Sequence, residues 1–220
     1  MKSRSKRCGG SPGIAARIAL TIVLVTCSVA SQIRPKPEGD ITPEEYEVLS
    51  IYITKVFIDV KAEDRATRIV IADMTATDSE DDHLTDDSGR PALSEKLRNY
   101  LKEKAPALQQ ATLDAFDALG AHPAVLHRSF HLSVPYELVE AREIDAIFQH
   151  GGWWRDFYKK YPGAQGFLTV SRVGFHPDGK QALFYASNPC GGKCGTGSYV
   201  LMEKTGTGWK VAKEVVVWIS

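Results

Sequence analysis

Apolar positions recur three and four apart from Tyr46 through Leu49 and Ile53 to Phe57, which predicts an amphipathic helix. Its start is written just ahead of it, with Thr42 as N-cap, Pro43 in the first turn and Glu45 three residues after the cap. Arg68-Ile69-Val70-Ile71-Ala72 is a β-branched run and predicts a strand. Two helices are expected at about 92–104, with Leu93, Leu97, Tyr100 and Leu101 on the apolar face, and at 106–120, with Leu113, Phe116 and Leu119. Pro106 parts them and Gly120 supplies the stop. Val134–Val139 reads as a short extended segment with Pro135 at its edge. Residues 142–149 and 152–161 read as helical pieces broken at Gly151-Gly152.

Beyond Pro162-Gly163 the period changes from helical to strand-like. Four runs, Gly166–Phe175, Gln181–Ser187, Ser198–Lys204 and Trp209–Ile219, are joined by turn chemistry such as His176-Pro177-Asp178-Gly179 and Thr205-Gly206-Thr207-Gly208. Short connections favour antiparallel neighbours, so these runs predict a four-stranded meander. Helices first and strands last give an α+β fold, in which N-terminal helices with one or two strands pack on that meander. One sheet face is expected to lie under the helices, with Phe167, Val173, Phe175, Leu183, Tyr185, Val211, Val215 and Val217 as candidate core residues.

Length and composition fit one ordinary globular domain: 220 residues, 43% hydrophobic and 25% charged. The charge is unevenly placed. The chain has 27 basic and 27 acidic residues, but residues 1–30 hold five basic ones (Lys2, Arg4, Lys6, Arg7, Arg17) and no acid. An apolar run from Ile18 to Val25, fading out by Ala30, follows them, and Ser28-Val29-Ala30 offers a small-x-small site. This is the pattern of a secretory signal peptide, cleaved after Ala30. The run is short of the ~20 residues that a bilayer-spanning helix needs, so no stable membrane insertion is expected after cleavage. The alternatives are an uncleaved anchor and a lipoprotein acylated at Cys27, although Thr26 fits a lipobox poorly. Residues 31–42 read as a polar tether and 43–220 as a single domain. Without its first thirty residues the chain has a net charge of −5, which argues against nucleic acid as a partner.

Cleavage also removes Cys8 and Cys27, leaving Cys190 and Cys194 in NPCGGKCGTG. Two cysteines in an oxidising compartment read as a disulfide. Closing so short a loop gains about 2 kcal/mol in the chain-entropy model, enough to pin a loop rather than hold a fold. Free thiols, a zinc pair and a redox motif are the alternatives. Zinc lacks its usual four ligands, and the thioredoxin spacing and helix are missing.

Other chemistry is weakly signalled. The acidic stretch Asp78–Ser88 lacks EF-hand spacing and reads as a solvated loop. His127 and His131 have helical spacing for a metal pair, but no HExxH pattern accompanies them. There is no GxSxG elbow, and the glycines around Lys193 read as a hairpin loop before a strand rather than a phosphate loop. No metal and no cofactor is therefore assigned. Trp153, Trp154, Phe157, Tyr158 and Tyr161 crowd more helix faces than one, so some of them pack in the core and some are candidates for contact. Arg172, mid-strand and opposite in facing to Ser171, either receives an anionic group or pairs with a carboxylate. Candidate contact residues for a ligand or partner are Arg172, Trp153, Trp154 and Tyr158.

FHPDGKQALFY resembles one hairpin of a TolB-type propeller, but it occurs once, and a propeller needs it in every blade. From Phe157 to Ser220 the chain is similar to a group of uncharacterised exported bacterial proteins. The likeness lies in YPG…G, SRVGF, ALxY, a glycine-rich loop with two cysteines, and a Trp-bearing last strand. The resemblance implies export and a shared β-rich C-terminal unit; it transfers no activity and no catalytic residue. The expected function is that of an exported envelope protein, not an enzyme, binding a protein partner or small ligand. The alternatives are an envelope hydrolase using carboxylates with a histidine, and an inhibitor or immunity-type protein.

Overall fold

A computed structural model describes residues 39–61, 64–76, 93–120, 122–149 and 153–220. The signal pattern, most of the tether, the acidic stretch 78–88 and Gly151-Gly152 lie outside the described residues. The fold is α+β. Helix α1, Pro43–Ile53, begins as its sequence dictates: Thr42 Oγ1 accepts from Glu45 N, and the Glu45 carboxylate accepts from Thr42 N. It runs on into a π-helical turn, Thr54–Ile58. Strand β1, Ile69–Ala72, is followed by α2, Glu95–Lys104, and α3, Gln110–Gly120. Ser94 caps α2 by accepting from Leu97 N. The turn between α2 and α3 is pinned by Gln181, whose Oε1 accepts from Gln109 N and the Thr112 hydroxyl while its Nε2 donates to Ala107 O.

Strand β2, Tyr136–Val139, lies parallel to β1, and Pro135 just before it leaves its carbonyl free to accept from Ile69 N. Helices α4, Ala141–Gln149, and α5, Trp154–Lys160, follow. The C-terminal sheet holds β3, Thr169–Val170; β4, Gly174–Phe175; β5, Gln181–Gly191; β6, Cys194–Thr205; and β7, Gly208–Ile219. Order β3-β5-β6-β7 is antiparallel throughout, with β4 also on β5. Leu168 joins the two sheets, donating to Val70 O and accepting from Ala72 N.

The first strand of the expected meander, 166–175, is split into β3 and β4. Val170 faces Ala186 but Gly174 faces Leu183, so the outer strand has one extra residue. That is a β-bulge, and Ser171 repairs the ladder there: its Oγ accepts from Tyr185 N and donates to Arg172 O.

Both sheet faces are covered, one more than the pattern of helices predicts. Leu183, Tyr185, Tyr199, Leu201 and Val215 pack with Leu97, Leu101, Leu113 and Phe116 of α2 and α3. The alternate residues Ala182, Phe184, Val200 and Met202 pack with Leu49, Tyr52 and Ile53 of α1. Gly174 lets α3 sit directly on β4: a Cβ there would lie 2.2 Å from Phe116 N. Phe157, Tyr161 and Ile144 form a third cluster with Val70 and Val139, fastening α4 and α5 to the parallel pair. Among the described residues no helix is long and apolar enough to cross a membrane.

Candidate functional site

Cys190 and Cys194 are joined by a disulfide with Cα atoms 5.0 Å apart. Rather than closing a separate loop, the bridge sits at the tip of the β5–β6 hairpin, where Gly191 faces Cys194 and the ladder shifts register after Pro189. The hairpin is braced from below by the chain entering the sheet. Gly166 has φ +79°, and a Cβ there would meet Pro189 O at 2.2 Å, so only glycine allows this approach. Phe167 N donates to Pro189 O. From the side, the Tyr158 hydroxyl of α5 donates to Cys190 O at 2.6 Å. Burial raises the Tyr158 phenol above its ordinary pKa, opposed by a hydrogen bond with the backbone of Gly166.

The aromatic residues singled out from the sequence gather here, beside the disulfide. Trp154 lies against Tyr158, Phe148, Phe157 and Phe167, with ring centroids 5.1 to 6.1 Å apart. Trp154 and Tyr158 are half-buried and Phe157 is fully buried. Trp153 is the exception at 72% exposure. It stands at the N-cap of α5, and its backbone N–H is held by the Asp156 carboxylate. Exposed at a helix start, the indole presents a large apolar face and one N–H donor. The sequence did not reveal Phe148 and Phe167 as members, because they come from α4 and from the entry to β3. Only the tertiary fold brings those segments together.

Arg172 is elsewhere and is not displayed. Its side chain is 8% exposed and its Nε donates to Glu45 Oε1 at 2.8 Å, Nη2 to Glu45 Oε2 at 3.1 Å and to Asp40 O at 3.3 Å. Glu45 Oε1 also accepts from Val173 N. Of the two roles read from the sequence, pairing with a carboxylate is the one observed.

His127 and His131 do not share a helix face. His127 N donates to the Tyr46 hydroxyl and His131 N to Ser50 Oγ, both in irregular chain rather than helix. Among the described residues no group of three His, Cys, Asp or Glu is placed to hold a metal ion. A shallow groove of about 290 Å³ along α1 and the π-helical turn is lined by Glu47, Asp59 and His131. Among the described residues no hydrogen bond or ion pair links those three. Compared with known proteins, the chain matches no family model, no curated protein and no solved structure.

Proposed function

We propose that this is an exported protein of the bacterial cell envelope that works by binding a protein partner, with Trp153 as the anchor of its contact surface. The signal pattern of residues 1–30 and the Cys190–Cys194 disulfide support export, since such bridges persist in oxidising compartments. The carrying observation for binding is the 72% exposure of Trp153 beside rings that are buried or half-buried. Tryptophan dominates the small sets of residues that anchor interfaces. Tyr158 ties α5, whose N-cap is Trp153, to the disulfide hairpin through Cys190 O.

The test is capture from envelope extract with the protein as bait, alongside Trp153→Ala. The variant is expected to retain its melting temperature and to bind the captured partner about 30-fold more weakly, the ~2 kcal/mol of an anchor residue. Capture of the same partner with unchanged affinity by the variant contradicts this reading.

A further inference from the structure

Strand β7 ends the sheet, and among the described residues it pairs with β6 alone. Its outer edge therefore carries backbone N–H and C=O groups suited to a further strand. The register with β6 sorts its side chains by face. Lys210 lies opposite Glu203 and Lys213 opposite Leu201, and Leu201 packs under α2 and α3, so both lysines stand on that face. Val216 lies opposite Ser198 and Ile219 opposite Thr196, on the face where Val200 and Met202 meet α1. Val216 is 41% exposed and Ile219 76%. On the lysine face a groove of about 370 Å³ separates the strand from the α2–α3 turn at Lys104 and Pro106. Lys104 is held by Glu103, but among the described residues Lys210 and Lys213 have no carboxylate within ion-pair distance.

We propose that the β7 edge receives an extended segment of a partner protein in which carboxylate and aliphatic side chains alternate. Strand alternation turns its carboxylates toward Lys210 and Lys213, and its aliphatic groups lie beside Val216 and Ile219. A second copy of this chain fits less well. Antiparallel pairing of two β7 strands about a two-fold axis keeps like faces together and sets lysine near lysine. Register shifts in the β6–β7 ladder, at Gly197/Ser198 and Leu201/Met202, keep regular stretches short, which suits a peptide better than another sheet. The competing role for the lysines is to block edge pairing altogether.

The experiment measures fluorescence anisotropy of a labelled peptide of alternating glutamate and valine, titrated with the purified protein at neutral pH. Two control peptides accompany it: the same residues in two blocks, and the alternating peptide methylated at every second backbone nitrogen. The alternating peptide is expected to bind. Each control, and the Lys210→Glu/Lys213→Glu variant, should weaken binding about tenfold, and Lys213→Ala by a smaller factor. Trp153→Ala should leave this binding unchanged, which separates it from the aromatic surface. Failure of the alternating peptide to bind, or binding indifferent to charge reversal or to backbone methylation, overturns the proposal.

Discussion

Glu45 serves two structures at once. It completes the cap of α1 and neutralises Arg172, 127 residues away in sequence, with both side chains almost wholly buried. The Thr42-Pro43-Glu44-Glu45 signature made the cap legible, because capping is a local geometry. That Arg172 could pair with a carboxylate was legible, but its partner was not, since nothing near Glu45 says which distant cation it meets. Burying the pair gains little by itself, but leaving one charge alone in that site is costly. Arg172→Met is therefore expected to lower the unfolding free energy by about 3 kcal/mol or more in urea melts. A loss under about 1 kcal/mol would mean that the pair is more hydrated than its burial implies.

Among the elements, the helices lie within a few residues of where the apolar period predicts them, and α1 also carries its cap in the sequence. The first strand of the meander was read as unbroken. Its bulge depends on Ser171 replacing a ladder partner for Tyr185, a tertiary hydrogen bond with no local signature. The join between α4 and α5 has the same character. Tyr161 donates to Glu143 at 2.6 Å and Lys160 pairs with the same carboxylate. Burial, then the bond to Glu143, pushes the Tyr161 pKa well above its ordinary value. Tyr52, buried against Glu214, is raised in the same way. The Glu143 carboxyl is held below its usual range, first by Lys160 and then by Tyr161. A raised phenol pKa in the folded state gives stability that is complete below the unfolded value of about 10 and lost as pH rises through the folded one. Thermal melts should thus fall steeply above about pH 10. The Tyr52→Phe/Tyr161→Phe variant should show a shallower fall over the same range. Identical alkaline slopes for variant and parent would contradict the assignment of that loss to these two phenols.

At the level of the whole molecule, sequence periodicity announced helices before strands and an antiparallel C-terminal sheet, and both are present. The second covered face escaped it. β5 and β6 are apolar on both sides, and a strand buried on both faces loses the alternation that would assign each residue to a layer. Of the candidate surface, the disulfide and the tryptophans were visible as residue types. Their meeting at one end of the sheet was not, because it needs Gly166 to bring α5 under the hairpin. The proposed function requires export, with an address removed after Ala30 and a bridge formed beyond the cytoplasm. The direct measurement is the intact mass of the native protein from its own host, alkylated before any reduction. The result expected is a chain beginning at Ser31, recovered with the envelope, with Cys190 and Cys194 protected from alkylation. A chain still beginning at Met1, found in the cytosol with both thiols alkylated, would contradict it.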